Sequence, residues 1–244
     1  MKIELTSPVG EIASRLREAI PLFEDMRIDY CCGGKRPLED ACRQAGVPAE
    51  QVLSSLRNIR GEGPVTPEEV VDWRDRSMSE IIDHIVEQHH AFTRIQLARL
   101  KNLSAKVAQI HGIRHTELFQ LENILRDMAS EMEGHLAMEE GVVFSYLKLM
   151  ERIMAEGKKS ANPFNFLSQN SHPLSVLAWE HDMTGDEWNE IRRLTRDYTT
   201  PVDACESLKE LYRGLRALEL DIHRHVHLEN NILFPRAIKM GILD

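Results

Sequence analysis

The sequence predicts an all-α protein, an antiparallel four-helix bundle preceded by a small helical domain. From Ser77 onward, apolar residues recur at helical spacing over long segments, and no stretch has the alternation of a competing strand. A chain of 244 residues has room for one large domain and one small one. We expect the small domain over 1-62, a linker over 63-77 and the bundle over 78-244.

The small domain begins with short helices. Ser7-Pro8 is a typical helix start, and apolar residues follow at helical spacing. These residues are Ile12, Leu16, Ile20 and Phe23. Between the helices lies the segment Asp-Tyr-Cys-Cys-Gly-Gly-Lys at 29-35, where the paired glycines interrupt the helix. The glycines and prolines of the linker suggest a hinge between the two domains.

Four long helices are expected in the bundle, with short connections within the first and second pairs. They are predicted over 78-103, 114-155, 172-198 and 202-233. Ser77-xx-Glu80 and Thr200-xx-Asp203 have the pattern of capping boxes that open the first and last of these helices. Pro235 is expected to end the last one.

Two segments of the bundle repeat the same spacing of an acid, a histidine and a glutamate. They are Glu131-xxx-His135-xxx-Glu139 and Asp221-xxx-His225-xxx-Glu229. His90 precedes the first of these histidines by 45 residues, and His181 precedes the second by 44. A twofold pattern of histidines and acids is typical of a binuclear metal site.

The acids of the repeats lie on the apolar faces of their helices, where a carboxylate without a counter-charge would cost several kcal/mol. The four acids of the repeats carry a formal charge of −4, and no lysine or arginine shares these faces. Two divalent cations would balance that charge, whereas two trivalent ions would need a further bridging anion such as oxide. The sequence therefore predicts two metal ions.

The position of each of these residues along its helix indicates its role at the metal site. His135 with Glu139, and His225 with Glu229, are one turn apart and can bind metal from the same helix. Either glutamate is placed to bridge the two ions. Glu131 and Asp221 lie one turn before each histidine and are expected to orient its imidazole by accepting the other N–H.

The first helix offers two adjacent histidines. Helical periodicity alone places His89 nearer the centre of the buried face, whereas the spacing of the repeat favours His90. His227 lies on another face of its helix from His225 and has no assigned role. Cys42 and Cys205 are expected to fill core space.

The predicted ligands on four helices follow the Cys-Cys-Gly-Gly segment in the chain. In this arrangement the sequence resembles the repair-of-iron-centres family of di-iron proteins. The resemblance covers nearly the whole chain. The family's first-helix ligand falls on His90, which decides between the two adjacent histidines. One departure is Ser145, where the family often has proline after its first Glu-xxxx-Phe.

The resemblance implies a hemerythrin-like bundle with two non-haem iron ions, two bridging glutamates, four terminal histidines and an oxo-type bridge. These ligands would be His90, His135, Glu139, His181, His225 and Glu229. It also implies a cytoplasmic protein that restores iron-sulfur clusters damaged by nitric oxide or oxidants. The expected partners are damaged iron-sulfur proteins and the small ligands NO or O₂.

The adjacent cysteines Cys31 and Cys32 suggest a second chemical function. Consecutive Cα atoms are about 3.8 Å apart, below the usual disulfide range of roughly 4.4 to 6.8 Å, so a bond between them would be strained and easily reduced. As thiols they are candidates for redox chemistry or metal transfer. The alternative is that they only pack in a small core.

Composition excludes some partners. The net charge of −9 and the isoelectric point near 5.7 argue against nucleic acid or an anionic membrane as the main partner. No apolar run is long enough to span a bilayer, and we expect the cytoplasm as the location. The oligomeric state is left open, with a dimer among the alternatives.

Three functions are compatible with such a centre. The first is cluster repair by iron donation. The second is an oxidoreductase of the nitric oxide reductase type, in which two irons hold two NO molecules. The third is a sensor or carrier of NO or O₂, which would have no need for the cysteines.

Overall fold

The structure is a computed structural model that describes residues 2–59, 71–157 and 185–240 of the chain. Within these ranges the protein is helical, and its one β-type pairing is an isolated bridge between Pro8 and Pro37. The all-α class is therefore confirmed. The chain divides into two compact units, one formed by Met1–Ile81 with Arg224–Asp244 and the other by Ile82–His223.

The first unit begins with four short helices around one apolar core. They are α1 (Val9–Arg15), α2 (Ala19–Asp25), α3 (Leu38–Ala45) and α4 (Ala49–Ile59). Ile12 and Phe23 are completely buried, while Leu16 and Ile20 pack against the core from its edge. Cys42 is also completely buried, as expected of a core residue.

The long helix α5 consists of Met78–His84, a π-helical turn at Ile85–His90 and Ala91–His111. Its start is the predicted capping box. The Glu80 N–H donates to Ser77 Oγ at 3.1 Å, and the Ser77 N–H donates to Glu80 Oε2 at 2.8 Å. The helix continues eight residues beyond the predicted end at 103.

The helices α6, α7 and α8 follow. Helix α6 consists of Glu117–Met138, a π-helical turn at Glu139–Phe144 and Ser145–Ala155. Helix α7 covers 185–194. Helix α8 consists of Glu206–Leu228, a π-helical turn at Glu229–Leu233 and Phe234–Lys239. The predicted third helix lies only partly within the described residues. The predicted linker 63-77 also lies partly outside them, and the domain boundaries stay a prediction.

Both predicted ends of the last helix are wrong. Helix α8 begins at Glu206, and the carboxylate of Asp203 contacts His115 Nε2 at 3.1 Å instead of capping the helix. At the other end, α8 continues past Pro235 to Lys239, and this proline lies where the π-helical turn changes back to α-helix.

Each of the three π-helical turns in the described ranges contains a predicted ligand. The first ends at His90, and the other two begin at Glu139 and Glu229. A π-helical turn bonds residue i to i+5, so it holds about one residue more than an α-helical turn and shifts the face that follows. Turns of this kind are frequent at functional sites.

None of the helices in the described ranges combines the length and apolarity that a membrane span requires.

Candidate metal centre

In the second unit, the Glu139 carboxylate lies between two imidazoles. Its Oε1 is 3.1 Å from His135 Nε2, and its Oε2 is 3.4 Å from His90 Nε2. The side chains of Glu139 and His90 are completely buried, and that of His135 is 10 % exposed. The predicted ligands of α5 and α6 are therefore brought together around one carboxylate.

The other nitrogen of His90 is held by a second glutamate. His90 Nδ1 is 2.7 Å from Glu140 Oε1, which also accepts a hydrogen bond from Arg94 Nη1 at 2.7 Å. Burial acts to raise the pKa of Glu140, but the hydrogen bonds from Arg94 and His90 lower it below its ordinary value. The ionised Glu140 favours the tautomer in which His90 carries its proton on Nδ1.

With the proton on Nδ1, the Nε2 lone pair of His90 points at a carboxylate oxygen of Glu139. Two electron-rich atoms face each other stably only if a proton or a cation lies between them. Two donors bound to one metal at about 2.1 Å and at right angles stand about 3 Å apart, close to the observed contacts. The residues therefore fit a metal ion, and a buried imidazolium is the alternative.

In the first unit, His225 and Glu229 repeat this pairing. His225 Nε2 is 3.2 Å from Glu229 Oε1, and both side chains are buried. The pair has the same four-residue separation as His135 and Glu139, and in both cases the glutamate is the first residue of a π-helical turn. The sequence repeat therefore corresponds to a repeat of local geometry.

The acids expected to orient the imidazoles have different surroundings. Asp221 Oδ1 contacts His89 Nδ1 at 3.0 Å, so this acid holds the neighbour of the predicted first-helix ligand. Glu131 is exposed. Its role toward His135 stays a prediction, as does the role of His181, which lies outside the described residues. Sequence reasoning missed Glu140, which holds His90.

The segment with the vicinal cysteines packs against the π-helical turn of Glu229. Asn231 Nδ2 donates to the backbone oxygens of Tyr30 and Cys31, at 3.2 and 3.0 Å. This contact is close because Gly10 and Gly34 have no side chains, and a Cβ on Gly34 would lie 2.1 Å from Asn231 Oδ1. Asn231 thus fixes the cysteine segment two residues from a predicted ligand.

His227, which had no assigned role, is buried next to the same segment. Its ring contacts that of Tyr30 with centroids 5.3 Å apart, and Asn231 Nδ2 is 3.2 Å from its Nδ1. Burial lowers the pKa of His227 to about 4.

The buried His227 predicts a loss of stability in acid. Its pKa in the folded state lies below the ordinary value of about 6.5, so the unfolded state binds the proton first as the pH falls. The neutral His227 makes its full contribution to the free energy of unfolding above pH 6.5. This contribution, up to about 3 kcal/mol, is lost as the pH falls toward 4. We expect metal-free His227→Gln to lose less stability over this interval than wild type in denaturant titrations. Equal losses would contradict the assignment, and His223→Gln is the matched control.

Buried histidine–glutamate pairs on the helices of a bundle define the class of helical cation-binding proteins. In agreement, the family model described as "Hemerythrin HHE cation binding domain" matches residues 80–237, and a domain of unknown function named ScdA_N matches residues 5–60.

The relatives are similar over nearly their whole length. The iron-sulfur cluster repair protein YtfE of Escherichia coli O157:H7 is 33 % identical over 231 residues, which cover 95 % of this chain and 96 % of that protein. A probable iron-sulfur cluster repair protein of Haemophilus influenzae is 33 % identical over 230 residues, 94 % and 96 % of the two chains. The chain belongs to the repair-of-iron-centres family with a hemerythrin-like domain.

Proposed function

We propose that this protein repairs iron-sulfur clusters damaged by nitrosative or oxidative stress, and that it does so by donating iron from a di-iron centre. The observation that carries the proposal is the Glu139 carboxylate, completely buried between two imidazole nitrogens. The second histidine–glutamate pair and the names of the relatives support it. The proposed place of action is the cytoplasm, and the proposed partners are damaged iron-sulfur proteins.

The proposed centre takes its ligands from both repeats. They are His90, His135, Glu139, His181, His225 and Glu229. Each glutamate would bridge two iron ions, which would share an oxo-type bridge. Imidazole and carboxylate ligands suit Fe, Mn or Zn alike, so the choice of iron rests on the family. When bound, iron would supply redox chemistry and sites for small ligands such as NO or O₂.

The protein's own residues set the conditions for metal binding. Glu140, anchored by Arg94, keeps the Nε2 lone pair of His90 available for a metal. The ring of Phe144 stacks on that of His90 at an angle of 23°, with centroids 5.7 Å apart, and both side chains are buried. A carboxylate buried with these imidazoles is costly without a cation, and this cost favours metal binding.

We further propose that Cys31 and Cys32 act in redox chemistry or metal transfer. Both are thiols in the structure. Their segment is fixed by Asn231 on the turn that begins with Glu229, so thiols and a proposed ligand belong to one packed region of the first unit.

The repair function predicts reactivation of a damaged enzyme. We expect the iron-loaded full-length protein to restore activity to a nitrosylated iron-sulfur enzyme under reducing conditions. The metal-free protein should restore none without added iron. Failure of the iron-loaded wild type would contradict the proposal.

The same preparation distinguishes the alternatives. Steady release of nitrous oxide from NO and a reductant would identify a nitric oxide reductase. Reversible binding of NO or O₂ that is unchanged in Cys31→Ser would identify a sensor or carrier. Stoichiometric iron loss during reactivation is the result expected of a donor.

A further inference from the structure

The cysteine segment brings together three side chains that can bind metal. One donor atom from each of Asp29, Cys31 and Cys32 lies within 4.8 Å of the others. The two sulfur atoms are 3.9 Å apart, and Cys31 Sγ is 3.5 Å from Asp29 Oδ1. Sequence reasoning identified the cysteines and missed the aspartate.

The sulfur separation is that of two ligands on one ion. A disulfide needs about 2.05 Å between the sulfurs, far less than the separation in this structure. Two thiolates bound to a tetrahedral ion at about 2.3 Å stand about 3.8 Å apart. The observed 3.9 Å agrees with this value.

The carboxylate also has the spacing of a ligand. An oxygen at about 2.1 Å and a sulfur at about 2.3 Å from one tetrahedral ion are separated by about 3.6 Å. Asp29 Oδ1 and Cys31 Sγ are 3.5 Å apart. Both measured donor separations are therefore those of one tetrahedral coordination sphere.

Backbone hydrogen bonds hold Asp29 in this position. Its Oδ1 accepts the Cys31 N–H at 3.2 Å, and its Oδ2 accepts the Gly33 N–H at 2.9 Å. A Cβ on Gly33 would lie 2.6 Å from Oδ2, so the glycine permits the contact. Arg36 is near the same oxygen at 3.9 Å. Oδ1 retains lone-pair capacity for a further partner.

We propose that Asp29, Cys31 and Cys32 form a three-donor site for a thiophilic divalent cation such as Fe²⁺ or Zn²⁺. Three protein ligands leave one tetrahedral position for a ligand from an incoming group, as in sites that exchange what they bind. This inference rests on the metal-transfer role of the cysteines in the proposed function, and it adds Asp29 as a third ligand.

Binding involves no change of oxidation state. Both thiols become thiolates, and their two protons pass to solvent as the cation takes their place. The hydrogen bond with Cys32 and burial both raise the pKa of the Cys31 thiol, so the thiol keeps its proton until a cation competes for the sulfur. The affinity of the site therefore falls as the pH falls.

Cobalt(II) is a suitable probe because its thiolate complexes absorb and its tetrahedral complexes have a characteristic spectrum. We expect the full-length protein that carries only the two irons of its proposed centre, titrated without oxygen, to bind one Co²⁺ with a thiolate-to-cobalt band. Asp29→Asn should weaken this binding about tenfold or more, because it replaces a charged carboxylate ligand by a neutral amide oxygen. Cys31→Ser and Cys32→Ser should abolish the band.

The matched control is Asp40→Asn, which removes an exposed carboxylate from α3 in the same unit. Asparagine at position 29 keeps an oxygen acceptor for the Cys31 N–H, and Cys32→Ser leaves both backbone contacts of Asp29 intact. Equal Co²⁺ affinity in Asp29→Asn and Asp40→Asn would show that Asp29 only shapes the turn.

A wild-type protein without the band, or a band that survives in Cys31→Ser through another thiol such as Cys205, would overturn the site. The readout is independent of repair. Loss of reactivation with Co²⁺ binding intact would refute the repair function and leave the site standing, and the reverse result would refute the site alone.

Discussion

Replacing Glu139 by alanine is expected to remove both iron ions, whereas His90→Ala should remove mainly one. A glutamate that bridges two ions contributes to both, and a terminal histidine contributes to one. In the structure, the two oxygens of Glu139 face different histidines, as a bridge requires. Iron per chain after desalting, measured by elemental analysis, checks the prediction. Glu229→Ala should behave like Glu139→Ala.

The control is Asp127→Ala, which removes an exposed carboxylate of the same helix and should keep both ions. Glu139→Gln tests whether the charge of Glu139 has opposite effects on stability with and without metal. In metal-free protein it should raise the free energy of unfolding, because it removes a buried charge, while in iron-loaded protein it should lower it. Retention of both ions by Glu139→Ala would contradict the bridging role.

Gly34→Ala is expected to destabilise the first unit by about 1 to 3 kcal/mol, the usual range for overpacking. The new methyl group would lie 2.1 Å from Asn231 Oδ1 and 2.9 Å from its Nδ2. Asn231 would have to move, and its hydrogen bonds to the backbone oxygens of Tyr30 and Cys31 would be lost. Denaturant titration measures the loss, and faster alkylation of Cys31 should accompany it.

A double-mutant cycle isolates the contact. In the Asn231→Ala background the obstacle is absent, so Gly34→Ala should cost much less there than in wild type. Gly134→Ala, in an open helical position, is the control and should stabilise by up to about 1 kcal/mol. Equal costs of Gly34→Ala in both backgrounds would show that Asn231 does not hold the cysteine segment.

The sequence predicted the helical class and most of the long helices because their apolar periodicity continues over many turns. It could not place the π-helical turns, which have no pattern of their own. On a wheel drawn at 100° per residue, Val142 lies on the same face of α6 as His135 and Glu139 and would be buried with them. In the structure Val142 is 45 % exposed and Val143 is 4 % exposed, because the turn Glu139–Phe144 rotates the face that follows.

The same effect explains the two adjacent histidines of α5. His89 and His90 are both buried, at 8 and 0 % exposure, at the end of the turn Ile85–His90. Strict α-helical periodicity would turn one of them away from the core. The wheel favoured His89 because it carried the phase of Ile82 and Ile85 forward at 100° per residue, without the extra residue of this turn. The resemblance to a family, which does not depend on phase, favoured His90.

Other residues were missed because their contacts are not local. Glu140 follows Glu139 in the chain, and only its contact with His90, 50 residues away, shows its part. Asn231 is one polar residue among several, and its hydrogen bond to Cys31 spans 200 residues. A pattern within one segment of the sequence cannot reveal contacts between residues so far apart in the chain.

The central claim is that buried histidine–glutamate pairs hold two iron ions in this protein. Elemental analysis and Mössbauer spectroscopy of protein purified without added metal test it most directly. We predict two irons per chain with the spectrum of a coupled, oxygen-bridged pair. A well-folded protein with empty sites, or one that holds only zinc, would contradict the claim.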